Sequence, residues 1–243
     1  MVINRFYPYR ESKIIACLIV LSYSIKPLTV RLLDKKAIYE VFKRWQSNNP
    51  EPKGELYWKN TFTLLVAVVL SAQATDVGVN KATKVLFEVA SSPEEILKLG
   101  EENLKEYIKT INLYPTKAKR IIGLSEQILR EFGGKVPCSR EALESLPGVG
   151  RKTANVVLNI GFGMPAIAVD THILRTAPRI GLSDGKTPRE VEEDLLRITP
   201  EEFLPNAHHW ILLHGRYICQ ARKPKCAECF LEDICCKNGV EAI

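Results

Sequence analysis

The chain has 243 residues, 46% of them hydrophobic and without a low-complexity tract, which makes it a globular protein with one sizeable core or two modest ones. Lys and Arg (34) exceed Asp and Glu (28), a net charge of +6 that suits a polyanionic partner without requiring one. Seven cysteines are too few and too unevenly placed for a secreted disulfide framework, and the longest apolar runs, Ile14 to Ile25 and Phe62 to Ala72, fall short of the roughly 18 to 20 residues of a transmembrane helix.

Near the N-terminus, Arg5, Arg10 and Lys13 ahead of Ile14 to Leu21 imitate the charged and apolar regions of a signal peptide. A cluster of thiolates further on is poorly served by an oxidising compartment. Residues 1–33 therefore read as an N-terminal extension or an upstream start, and a protein truncated before Asp34 is expected to keep full activity. No membrane span and no export are expected.

From Asp34 onward the apolar residues recur at helical spacing. Ile38, Val41, Phe42 and Trp45 follow i, i+3, i+4, i+7 behind Asp34 as N-cap, and Asn48 to Gly54 ends that helix. Thr61 to Ser71 is apolar throughout and its neighbours make it a buried helix. Val79, Ala82, Thr83, Leu86 and Phe87 form the next stripe, and Ser92-Pro93-Glu94-Glu95 marks a helix start. Leu104, Tyr107, Ile108 and Ile111 repeat the pattern until Asn112-Leu113-Tyr114-Pro115 interrupts it. A stripe from Ala118 to Phe132 stops at Gly133-Gly134. Two short helices, Arg140 to Leu146 and Arg151 to Phe162, flank Gly148-Val149-Gly150. Thr187-Pro188-Arg189-Glu190 is a capping box, and Trp210 to Tyr217 leads into the cysteines. About ten helices and no competing strand give an all-α fold.

Gly148 and Gly150 are the chemically informative turn. A residue without Cβ adopts positive φ cheaply, and free N–H groups at a helix start, with the positive end of the dipole, form an anion site. Arg151 and Lys152 place positive charge where the dipole alone favours acids, so a bound phosphate is expected there; an ordinary helical corner is the alternative. A lysine amine is protonated at neutral pH and must lose its proton to act as a nucleophile. Burial and the helix N-terminus favour that loss, whereas a carboxylate such as Asp170 opposes it. Asp170 suits a proton acceptor or a stabiliser of developing positive charge. On the residues alone, a phosphate-binding Lys152 and an N-capping Asp170 stay open.

Cys219, Cys226, Cys229 and Cys235 are spaced C-x6-C-x2-C-x5-C, which indicates a metal site divided evenly between zinc and iron–sulfur. Cys17, Cys138 and Cys236 fall outside the pattern and read as unligated. Between the first two ligands, Arg222, Lys223 and Lys225, with Arg216 just before, form a positive patch suited to phosphates. His208, His209 and His214 have no ligand spacing and are expected in core or surface positions.

The stretch Leu146-Pro147-Gly148-Val149-Gly150-Arg151-Lys152-Thr153-Ala154-Asn155 with Val169-Asp170-Thr171-His172 resembles the helix-hairpin-helix DNA glycosylase/AP lyase family, in its iron–sulfur, endonuclease III branch. Leu70 to Asp76 and His214 to Cys219 are further matching stretches, and the likeness runs from about Asp34 to Lys237. The resemblance implies two helical subdomains with a DNA-binding cleft between them, residues 54–164 forming a central helical barrel and residues 34–53 plus 165–243 the cluster-bearing half. It implies a [4Fe-4S] cluster on Cys219, Cys226, Cys229 and Cys235. It also implies that Lys152 attacks the sugar C1′ and expels a damaged base, with β-elimination nicking the strand, while Asp170 assists. Gln73 then fills the hole left by the flipped base and Leu113 wedges into the stack. Asn112, Pro115 and Pro178 depart from the usual pattern, and a helix end or kink is expected at Pro178.

The implied substrate is double-stranded DNA bearing oxidised pyrimidines or abasic sites, acted on by a monomer at the bacterial nucleoid in the cytoplasm. Two alternatives stand beside this reading. The adenine-mismatch branch shares the hairpin, aspartate and cysteine spacing but normally lacks the lysine and carries a further C-terminal domain, whereas this chain has Lys152 and ends soon after Cys236. A non-catalytic DNA-binding or redox-sensing protein needs only the hairpin and the cluster.

Overall fold

The computed structural model describes residues 30–240; the proposed signal-like stretch and Cys17 lie outside the described residues. Among the described residues there are eleven α-helices and no strand: α1 Lys35–Asn48, α2 Thr61–Ser71, α3 Asp76–Val89, α4 Pro93–Leu99, α5 Glu101–Ile108, α6 Tyr114–Phe132, α7 Arg140–Glu144, α8 Arg151–Val156, α9 Thr171–Ile180, α10 Pro188–Ile198 and α11 Leu204–Tyr217. No helix among them is long and apolar enough to cross a membrane.

Capping chemistry sets several of these starts. The Asp34 carboxylate accepts from the Ala37 N–H at 2.8 Å, and Ser92 and Thr187 each form a reciprocal box with the Glu three residues on. α2 has no polar face because every residue from Phe62 to Leu70 is buried, which is what an all-apolar helix requires. At the end of α6, Gly133 takes φ 58° and closes the helix.

The helices pack into two cores. One gathers α2 to α8, from Phe62 to Ala166; the other joins Ile38, Val41, Phe42 and Trp45 of α1 to residues from Ile167 to Leu231. The chain thus passes between cores after α1 and again at Ala166-Ile167. A polar tie crosses the divide where Asn155 Nδ2 donates to Ile167 O at 3.1 Å, while within the second core Trp210 Nε1 donates to Asn49 O at 2.8 Å. Residues just before Asp34 also belong to the packed structure, since Leu33 N–H donates to Gly181 O at 2.9 Å and Arg31 N–H to Asn238 Oδ1 at 3.1 Å.

Two local expectations are refined. α9 does not stop at Pro178; it runs to Ile180 and ends on Gly181 at φ 99°. The proline falls in the last turn, where its missing N–H costs one bond, and the Asn238 side chain donates to its carbonyl at 2.9 Å. The second hairpin helix is α only to Val156 and then widens into a π-helical segment, Val157–Gly161.

Candidate active site

A cavity of about 280 Å³ opens where the two cores meet, and Lys152, Asp170 and Gln73 all line it. Lys152 stands in the first turn of α8, directly after the hairpin. Gly148 makes that turn possible: its φ is 82°, and a Cβ there would lie 2.7 Å from the Arg120 side chain. Lys152 is exposed and has no ion pair among the described residues. Burial, expected to help it shed a proton, is therefore not supplied by the protein alone.

Asp170 caps α9. Its Oδ1 accepts the His172 and Ile173 N–H groups, each at 2.9 Å, while Oδ2 has no protein partner among the described residues. N-capping and a role in the cavity are thus compatible, because they use different oxygens.

Gln73 and Leu113 are both on the surface, Leu113 half exposed, and both adopt left-handed backbone, with φ of 55° and 59°. Three other candidates are constrained by their surroundings. Val149 is buried in the first core and its N–H bonds Leu146 O at 3.1 Å, so its side chain is not offered to a ligand. Arg151 makes a two-pronged pair with the buried Glu192 carboxylate of α10, at 2.8 and 2.9 Å. Glu192 also lies 3.5 Å from Arg140, so one carboxylate gathers both arginines. Arg216 is likewise paired, with Glu55 at 2.5 Å and Asp76 at 2.9 Å, and lines the cavity instead of joining the patch around Lys223.

The cavity wall also holds two histidines that the sequence placed only in core or surface positions. His208 and His209 lie on α11, both buried, and line the same cavity as Lys152. Burial, with His209 and Lys152 adding to it, pushes the His208 pKa down to about 3, so its ring is neutral. Its Nδ1 has no hydrogen-bond partner among the described residues. Only three-dimensional packing brings α11 to α8, and neither histidine has a neighbouring motif that announces this.

Cys219, Cys226, Cys229 and Cys235 surround a second, smaller pocket. Among the described residues, no three His, Cys, Asp or Glu side chains converge into a single-ion site. Four thiols lining one pocket are a donor set that fits an iron–sulfur cluster. Backbone N–H groups of Leu231 and Lys237 point to Cys229 Sγ and Cys235 Sγ at 3.4 Å, as cluster-bearing sulfurs require. Cys138 and Cys236 are free thiols. From α9, Arg179 donates to Gln220 O at 2.8 Å and Ala221 O at 3.1 Å, and Arg175 to Cys219 O at 3.2 Å. The loop carrying the exposed Lys223 is therefore tied to the helix that Asp170 caps.

Comparison with known proteins agrees with this geometry. Residues 66–201 match the family model of the HhH-GPD superfamily base excision DNA repair proteins, and residues 219–235 match the iron–sulfur binding domain of endonuclease III. The chain is 67% identical to endonuclease III of Treponema pallidum (strain Nichols), over 87% of this chain and all of that protein. It is 54% identical to endonuclease III of Escherichia coli (strain K12), over 84% of this chain and 96% of that one. A solved structure of a trapped endonuclease III–DNA covalent intermediate superimposes with a TM-score of 0.78 at 42% identity, covering 85% of this chain and 98% of that one. The chain belongs to the HhH-GPD superfamily of base excision DNA repair proteins, in its endonuclease III family, and carries that family's [4Fe-4S] cluster.

Proposed function

We propose that Lys152 and Asp170 carry, in this chain, the DNA glycosylase and abasic-site lyase activity of its family. The observation that supports the assignment is the shared cavity: a lysine without an ion pair and a carboxylate with one uncommitted oxygen line the same cleft as Gln73. The Lys152 amine attacks C1′ of a flipped nucleotide, the C–N bond forms as the glycosidic bond breaks, and the base leaves with the bonding electrons. The amine then loses a proton, the C1′–O4′ bond opens with a proton delivered to O4′, and the aminal becomes a Schiff base, from which loss of a C2′ proton expels the 3′ phosphate and nicks the strand. Asp170 Oδ2 stabilises the positive charge that develops on the sugar and accepts a proton. Water exclusion and desolvation of Lys152 come from the DNA itself, since the free protein leaves that side chain open.

The hairpin backbone at Gly148 and Gly150 holds a phosphate, with Val149 contributing shape through the core and Arg151 fixing the hairpin against Glu192. Gln73 fills the gap left by the flipped nucleotide and Leu113 wedges the stack. Cys219, Cys226, Cys229 and Cys235 ligate the cluster, whose contribution here is to anchor both ends of the Lys223 loop against the DNA backbone. Oxidised pyrimidines and abasic sites in duplex DNA are the substrates, and the protein acts as a monomer on the bacterial nucleoid in the cytoplasm. The two cores support a division into a 54–164 barrel and a 34–53 plus 165–243 cluster half, with residues 1–33 as an extension whose last residues help seal the second core.

The test is chemical. Borohydride reduction should trap a covalent complex of the protein with duplex DNA bearing an oxidised pyrimidine. Lys152→Ala should abolish trapping while keeping DNA binding, and a Lys152→Ala protein that still nicks abasic DNA at the parent rate would refute the nucleophile.

A further inference from the structure

Three non-glycine residues among those described adopt left-handed backbone, and two of them are Gln73 and Leu113. That conformation is strained for a residue with a Cβ, so each loop needs its surroundings to hold it. One buried residue links the two loops, its side chain holding the end of α2 and its backbone standing in the first turn of the helix that follows Leu113. Lys117 lies in the first turn of α6, where its backbone N–H bonds Leu113 O at 3.0 Å. Its ammonium donates to Leu70 O at 2.8 Å and Ala72 O at 2.7 Å, at the end of α2 immediately before Gln73.

The terminal carbonyls of α2 show why this matters. A helix leaves its last carbonyls unsatisfied. Val68 O accepts the Ser71 hydroxyl at 2.8 Å and Ser71 O accepts the Ala74 N–H at 3.0 Å, which leaves Leu70 O and Ala72 O to the lysine. Lys117 is 2% exposed and has no carboxylate partner among the described residues. Burying an ammonium against two carbonyls is a costly cap where a glycine turn would serve. What the lysine adds over a local cap is a rigid link from α2 to α6.

We infer that Lys117 is a positioning residue for entry into the duplex: it fixes Gln73 and Leu113 relative to one another so that one fills the hole while the other wedges the stack. This rests on the reading of those two residues given above. A single-stranded abasic site needs no base pair opened and no hole filled, so only duplex substrates should sense the lysine.

Abasic-site cleavage is measured under single turnover on duplex and single-stranded oligonucleotides for Lys117→Met, Gln73→Ala and the double variant. Lys117→Met is expected to lose about tenfold on the duplex while staying within about twofold on the single strand. Combined with Gln73→Ala, its effect should be clearly less than the product of the two single losses, since it acts in part through that residue. Equal losses on both substrates, or fully multiplicative effects, would overturn the inference. If Gln73→Ala alone leaves duplex cleavage unchanged, the reading of Gln73 is what fails, and the inference falls with it. Lys117→Gln, which keeps an N–H donor, should recover part of the duplex rate and serves if the Met variant does not fold. Failure of both to fold would make the lysine a core strut and overturn its positioning role.

Discussion

Asp170 caps α9 through one oxygen and, in the mechanism proposed above, works on the sugar through the other, and the two can be separated by substitution. Asp170→Asn keeps an acceptor for the His172 and Ile173 N–H groups but removes the charge, so thermal stability should stay near the parent while glycosylase activity falls by two orders of magnitude or so. Asp170→Ala removes the cap as well and should cost about 1 kcal/mol more in stability. Differential scanning of the two variants beside single-turnover rates checks both halves. An Asn variant as unstable as the Ala variant would show that the charge, not the hydrogen bond, holds α9.

His208 gives a pH dependence whose sign follows from its burial. In the folded protein its pKa is pushed down to about 3, against an ordinary value of 6.5. Between those values the unfolded chain binds a proton that the folded chain does not, so stability is full above pH 6.5 and falls as the pH drops through that window. Each pH unit of that fall is worth about 1.4 kcal/mol for this one group. Replacing His208 by Asn should shallow the loss of stability between pH 6.5 and 5 by about one proton, measured by denaturant unfolding; an unchanged slope would show the imidazole to be protonated in place. At this scale the motif residues were legible, because Lys152 and Asp170 stand beside glycines and a helix start. The charges of Arg151 and Arg216 were not: each is neutralised by carboxylates distant in sequence, Glu192 in one case and Asp76 and Glu55 in the other.

Among the elements, the hairpin separates two reasons for a glycine. Gly148 is required by the fold, with φ 82° and Arg120 within 2.7 Å of any Cβ. Gly150 has ordinary φ and open space around it. Gly148→Ala should therefore destabilise the protein by about 1 to 2 kcal/mol and weaken DNA binding through the distorted turn. Gly150→Ala should leave the melting temperature close to the parent and weaken DNA binding alone, since the added methyl meets only the approaching strand. Melting curves with binding isotherms on abasic duplex decide it; parent-like affinity in Gly150→Ala would remove that residue from the phosphate site. Helix limits were readable wherever a side chain caps locally, as at Asp34, Ser92 and Thr187. They were less readable where a strong breaker is tolerated: Pro178 falls in the last turn of α9, and the helix runs on to Gly181, whose N–H closes on Ala177 O and Pro178 O.

In the whole molecule, two devices hold the Lys223 loop: the proposed cluster ligands at Cys219 and Cys226, and the α9 arginines that grip Cys219, Gln220 and Ala221 through their carbonyls. Packing of α9 against α11 within the second core makes the second device possible, and no spacing in the sequence announces it. Because Arg216 is engaged with Glu55 and Asp76, the charge the loop presents reduces to Arg222, Lys223 and Lys225, all exposed. Each contact between such a charge and a DNA phosphate releases counterions and steepens the salt dependence of binding by about 0.9 in logarithmic slope. Lys223→Ala should therefore reduce that slope by about one while leaving the cluster's visible absorption intact, whereas Arg216→Ala should leave the slope unchanged. Removing the iron should act differently from either, abolishing the absorption and flattening the slope by more than one charge, because the whole loop loses its anchors although Arg175 and Arg179 remain. Binding isotherms across a salt series for the parent, both variants and the iron-depleted protein distinguish these outcomes. A Lys223→Ala slope equal to the parent's would mean that the loop carries solvated charge and that the cluster anchors something other than a phosphate contact.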